Sequence, residues 1–174
     1  NMEYLTYIIV ALIPALSVIF IVVHFLKKNN ERDLIQLEVR LKKERQKFFL
    51  EPRADAYQRI VLLLERITPH NLIMRLNLTN KNATLFQTEL LNTIRNEFDH
   101  NVAQQIFIST STWDMVKKSK EETIKIINVA AQQLPADATA MDLSNKILEV
   151  VSQLDELPTE ITIKALKKEF QSLF

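Results

Sequence analysis

The sequence predicts an all-α fold, one N-terminal transmembrane helix followed by a cytoplasmic multi-helix bundle, and three observations carry that prediction. No glycine occurs among the 174 residues, which removes the residue best suited to hairpin turns and helix C-caps. Through most of residues 54–173 apolar side chains recur three and four apart, the spacing that gathers them on one helix face. Finally, Tyr4 to Leu26 (YLTYIIVALIPALSVIFIVVHFL) holds no Lys, Arg, Asp or Glu, and His24 lies at its far end.

At 1.5 Å per residue that stretch makes a helix of roughly 35 Å, enough to cross a hydrocarbon core of about 30 Å with some tilt. Tyr4 opens the anchor and Leu26 closes it. Pro14 is tolerated as a mid-membrane kink, and Thr6 and Ser17 can bond back to their own helix. A secretory signal would carry basic residues ahead of a shorter apolar core and a small-residue cleavage site behind it. Here only Glu3 is charged ahead of the run, and His24-Phe25-Leu26-Lys27 offers no such site. Met2 reads as the natural start. Basic residues crowd the far side: Lys27, Lys28, Arg32, Arg40, Lys42 and Lys43. The positive-inside rule then places the N-terminus outside and everything after residue 26 in the cytoplasm. The expected organisation is an anchor at 1–26, a charged juxtamembrane helix at 27–52 and a helical bundle at 53–174.

Within 29–50 (NNERDLIQLEVRLKKERQKFFL), Leu34, Leu37, Leu41 and Phe48 fit a, d, a and a positions of a heptad, with Glu44 at the intervening d. That seam is shorter than a coiled coil requires. One reading packs the stripe on the chain's own domain, and the other makes it a stalk for self-association. Pro52 is expected to interrupt or kink this helix, because a proline disfavours helical geometry in the residue before it. Ala54 to Ile67 has the widest apolar face and is expected at the bundle centre. Thr68-Pro69 reads as N-cap and first helical residue of a short helix reaching about Leu76. An Asn-rich turn follows, since asparagine is the next best resident of left-handed backbone after glycine; Asn29, Asn30, Asn77, Asn80 and Asn82 are the candidates.

Thr84-x-x-Gln87 reads as a capping box opening a helix with Phe86, Leu90, Ile94, Phe98 and Val102 on one face. Ser111-x-x-Asp114 opens the next, with Trp113, Val116, Lys120, Ile124, Ile127, Ala131 and Leu134 in phase, stopped by Pro135. Thr139-x-x-Asp142 opens another, carrying Leu143, Ile147 and Leu154. Thr159 is expected to cap the last, lined by Ile163, Leu166, Phe170 and Leu173. The short apolar runs at 62–64, 106–108 and 161–163 could be strands on composition alone, but each lies within or at the end of a helical pattern.

Composition excludes several functions. Without cysteine there are no disulfides, thiolate metal sites or cysteine nucleophiles. Without glycine there is no Walker A loop and no dinucleotide-binding loop. Residues 27–53 hold nine basic and five acidic side chains, and residues 121–174 hold five and nine. The basic end suits anionic headgroups; no interleaved aromatics suggest nucleic acid. Glu97-x-x-His100, with Asp99 beside it, is the one metal-like constellation, but bundle di-metal sites need a second copy and further glutamates. His70 has Ile67 three residues before it. Ser109, Thr110 and Ser111 lack a serine base, so capping accounts for them. Trp113 is expected in the core, joined to the helix of Ala54–Ile67, rather than at an exposed binding hot spot. No catalytic residue, cofactor or metal ligand is therefore assigned.

The runs KFFLEPRADAYQRIVLLLERITPHNLIMRLNL (47–78) and EFDHNVAQQIFISTSTWDMVKKSKEETIKIIN (97–128) resemble a family of short single-span membrane proteins from Bacteroidota with no known activity. The resemblance implies a helical domain tethered to the cytoplasmic face of a bacterial inner membrane, and it assigns no site. The expected function is a non-enzymatic adaptor or scaffold, anchored through lipids and bound to other membrane or cytoplasmic proteins, as an accessory subunit of a larger complex. The alternatives are a metal-binding or enzymatic bundle around Glu97, Asp99 and His100, and a helical sensor of an apolar ligand.

Overall fold

The computed structural model describes residues 2–76, 78 and 80–173, without the side chains of 2–6, 8–11, 13 and 15. Six α-helices follow one another: α1 Met2–Ile67, α2 Pro69–Arg75, α3 Ala83–Asn101, α4 Thr110–Gln132, α5 Ala140–Ser152 and α6 Pro158–Gln171, with a 3-10 turn Val102–Phe107 between α3 and α4. Among the described residues there is no strand, only one isolated bridge between Asn82 and Thr139. The chain divides into two compact units, Asn1–Leu50 and Glu51–Phe174.

In the first unit Ser17 donates its hydroxyl to the Pro14 carbonyl at 2.7 Å, the back-bonding its sequence position suggested. Asn29 and Asn30, candidates for a turn, are helical instead. Of the predicted span, residues 4–6, 8–11, 13 and 15 lie outside the described side chains. Among the described residues no helix is long and apolar enough to cross a membrane.

In the second unit the helical face of residues 51–67 behaves as its periodicity predicts: Tyr57, Ile60, Leu63, Leu64 and Ile67 are buried. The expected break at Pro52 is absent, since the backbone on both sides of it is α-helical. Proline costs one backbone bond, to the carbonyl four residues earlier. Residue 48 is exposed, so water can serve that carbonyl. Thr68 stands at the N-cap of α2 and Pro69 at its start, as expected, but the Thr68 side chain makes no capping bond. Its hydroxyl donates back to Leu64 O at 2.9 Å. Asn80 is the one non-glycine residue with positive φ among those described, at 57°; the left-handed asparagine is found where the turn was expected. Asn77 lies outside the described residues.

The N-caps correct the sequence reading in three helices of four. Asn82 rather than Thr84 caps α3, accepting from Leu85 N at 2.8 Å, while Gln87 bonds Asn128 on α4. Ser109 rather than Ser111 caps α4. Leu157 stands at the N-cap of α6 with Pro158 after it, and Thr159 is buried, its hydroxyl 3.0 Å from that of Thr68. Only Thr139 is capped as read, in a reciprocal box with Asp142. Asn82→Ala is therefore expected to destabilise the bundle by about 1 kcal/mol and Thr84→Ala by far less. Denaturant unfolding of the two variants reads the difference directly.

Helix α4 packs against α3, α5 and α6, and its buried face is turned by about one residue from the expected stripe. Thr112, Trp113, Val116, Ser119, Thr123, Ile126, Ile127 and Ala130 are buried, whereas Lys120 and Ile124 are only half-buried. The hydroxyls are admitted because each is satisfied. Ser119 donates to Pro158 O at 2.7 Å and lies 2.7 Å from the Thr162 hydroxyl, and Thr123 donates to Ser119 O at 2.8 Å. An unpartnered buried hydroxyl would cost about 1–3 kcal/mol. Small polar side chains here let α4 and α6 approach closely. Lys120, the polar exception on the apolar stripe, holds its ammonium 4.4 Å from the Phe98 ring centroid. Ala83 N donates to Ala138 O and Ala140 N to Lys81 O, so the starts of α3 and α5 are tied together by backbone bonds. Val102, expected on the buried face, lies past the end of α3 and is exposed, as is Leu154 beyond α5.

Candidate functional site

Two places combine chemistry with accessibility: the outer surface of α1 before residue 50, and the N-terminus of α4. On the first, all six predicted basic residues, Lys27, Lys28, Arg32, Arg40, Lys42 and Lys43, are exposed. Leu26 and Pro14 are exposed as well, and the Tyr4 side chain lies outside those described. The seam residues share this exposure. Leu34 is 63% exposed, Leu37 53%, Leu41 45% and Phe48 75%. Four large apolar side chains on one helix stripe, left in water, are the kind of surface that marks an interaction site.

At the start of α4 the Glu169 carboxylate from α6 takes four donors. Tyr57 Oη donates to Oε1 at 2.5 Å, Ser109 N to Oε1 at 2.9 Å and Ser109 Oγ to Oε2 at 2.8 Å, and the Thr112 hydroxyl adds a fourth. Burial pushes this carboxyl up, but the bonds from Thr112, Tyr57 and Ser109 outweigh it and hold the group down at about 2. Burial first, and then the bond to Glu169, raise Tyr57 above its ordinary value. An anion beside the exposed N–H groups of a helix start is favoured by the helix dipole. So weak a base cannot take a proton from Ser109, and the cluster reads as a lock between α6, α4 and Tyr57. Sequence reasoning missed it, because its members lie 52 and 60 residues from Ser109 and nothing local pairs them.

Trp113 is in the core, 6% exposed. Its ring contact is with Phe98 of α3, centroids 5.5 Å apart and planes at 29°; the partner expected was the helix of Ala54–Ile67. Glu97, of the metal-like constellation, is engaged by Arg66 at 2.5 Å and by Arg75 at 3.5 Å. The Arg66 bond holds its carboxyl below the ordinary value. Asp99, His100 and His70 are exposed. Among the described residues no group of three or more His, Asp or Glu could hold a metal ion. A shallow, open depression of about 390 Å³ beside α5 is lined by Leu134, Pro135, Asp137, Asp142, Lys146 and Glu149 among others.

A family profile matches residues 2–173, and the chain belongs to that family of unknown function, DUF7935. The expectation of an uncharacterised family is met. No curated protein and no solved structure matches the chain.

Proposed function

We propose that this member of a family of unknown function is a membrane-anchored, non-enzymatic adaptor. Tyr4 to Leu26 is the anchor, with the N-terminus outside and residues after Leu26 in the cytoplasm of a bacterium. The exposed basic residues nearest the end of the apolar run, Lys27, Lys28 and Arg32, lie against the anionic headgroups of its inner membrane, each contributing about 1 kcal/mol where it is near the surface. The helical bundle that follows is the body of an accessory subunit in a larger complex, and it binds protein partners rather than nucleic acid.

One observation supports the reading most: the stripe of Leu34, Leu37, Leu41 and Phe48 stands exposed immediately after the apolar run. In the bundle, by contrast, the reactive-looking groups are already used, Glu169 by Tyr57 and Ser109 and Glu97 by two arginines. The test is purification from native membranes in mild detergent, with the double variant Leu37→Asp/Leu41→Asp beside the natural chain. A stoichiometric partner should accompany the natural chain and be lost from the variant. A partner retained by the variant, or none with either, contradicts the proposal.

A further inference from the structure

The exposed stripe also says what kind of helix covers it. Taking Leu34, Leu41 and Phe48 as a positions and Leu37 and Glu44 as d, the flanking g positions are Asp33, Arg40 and Lys47, and the e positions are Glu31, Glu38 and Arg45. In a parallel coiled coil each g residue faces the e residue five positions later on the other helix, and these pairs set partner choice. In a parallel, in-register pair of two copies, Asp33 would therefore face Glu38 and Arg40 would face Arg45. Both pairs are like-charged, each occurs twice, and no e–g pair in the seam is attractive. Glu44 would meet Glu44 at a d layer as well.

An antiparallel pair of copies meets its obstacle in the core. Centred on the Leu37–Leu41 layer, it sets Leu34 against Glu44 and Phe48 against Asn30. It also brings Arg40 to Arg40 and Glu38 to Glu38, but Asp33 to Lys47 and Glu31 to Arg45 as well, so its flanks are mixed and its mismatched core layers are what oppose it. Like charges at these spacings are destabilising, and a charge opposed only by an apolar side chain gains nothing for its desolvation. The same residues fit a different helix well. One carrying basic residues opposite Asp33 and Glu38, and acidic ones opposite Arg40 and Arg45, would turn every flanking pair attractive. A basic residue opposite Glu44 would neutralise the core defect.

We propose that the stripe at 30–48 is a heterotypic seam, occupied by a parallel helix of a different protein whose charges run from basic near the membrane to acidic farther away. The parallel sense rests on the anchored-adaptor reading, since two helices leaving one membrane face run the same way. Self-association of two anchored copies through 29–50 is thereby disfavoured: in the parallel sense that a shared membrane face imposes, the flanking charges oppose a second copy.

The chain itself supplies a probe. A charge-inverted copy carrying Asp33→Lys, Glu38→Lys, Arg40→Glu, Glu44→Lys and Arg45→Glu presents the proposed partner chemistry on the same backbone. Because the chain has no cysteine, Leu37→Cys in each copy gives a single cross-linking site at a core d position. The full-length chains, in mild detergent under mild oxidation, are compared alone and mixed. The mixed species should exceed either self-linked dimer by roughly tenfold or more at low salt, and the preference should fall at high salt as the charges are screened. Natural chain that links to itself as readily as to the inverted copy overturns the proposal in favour of a homotypic stalk. Absence of any linked species overturns it too, since the stripe would then not be a helix seam. Neither result bears on anchorage, which is read separately by labelling from the two sides of the membrane.

Discussion

Trp113→Ala is expected to destabilise the bundle by about 3–5 kcal/mol, the usual range for deleting a buried large aromatic. A domain is held together by only ~5–15 kcal/mol, so this one change removes a large share. The ring is 6% exposed, near the start of the helix that touches three others, and it stacks on Phe98, the ring that also meets the Lys120 ammonium. Its loss leaves a void and strands a cation–π pair on a ring free to move. Urea unfolding of the purified chain followed by far-UV circular dichroism gives the number, the signal being independent of the tryptophan removed. Trp113→Phe keeps a ring against Phe98 and should cost less than half as much. Unchanged stability in Trp113→Ala together with loss of a co-purifying partner would make Trp113 a binding residue instead.

Acid is expected to weaken the bundle through Glu169. Its carboxyl is held at about 2 in the folded chain against an ordinary 4.5. A depressed folded value means the ionised form is the one folding favours. The stabilisation is therefore complete above about 4.5, is lost as pH falls from there, and is gone below about 2. The difference corresponds to an upper figure of ~3 kcal/mol, which solvent screening reduces because Glu169 is only half-buried. Glu97, also held low, acts in the same direction. Glu169→Gln should lower stability at neutral pH and flatten its fall with acid, since the amide cannot ionise. Urea midpoints measured at neutral pH and at about pH 3 decide it. Equal slopes in the natural chain and the variant would mean that another carboxylate carries the acid sensitivity.

The helices were legible in the sequence because each apolar face is long and regular: Tyr57 to Ile67, Phe86 to Phe98 and Ile163 to Leu166 are buried as their spacing predicts. Pro69 and the Thr139–Asp142 box were legible for a different reason, being signals that act within four residues. The other N-caps were not. Around each start several Ser, Thr or Asn residues satisfy the same pattern, and only tertiary packing chooses among them. Thr159 fits a cap locally, and its actual partner, Thr68, lies 91 residues away. The turn of the α4 face has the same origin, since Ser119 and Thr123 are buried only because Pro158, Thr162 and a backbone carbonyl meet them. The stripe at 34–48 was visible as a pattern, but its exposure was not, because amphipathic spacing alone does not say what covers a face. Glu169 left no local sign at all.

Topology is the most direct test of the anchored adaptor. Single cysteines at Glu3 or Ser172, in a chain that has none of its own, are exposed to a membrane-impermeant maleimide in intact cells. The account predicts labelling of Glu3→Cys from outside and of Ser172→Cys only after the membrane is opened. Labelling of Ser172→Cys in intact cells would contradict it.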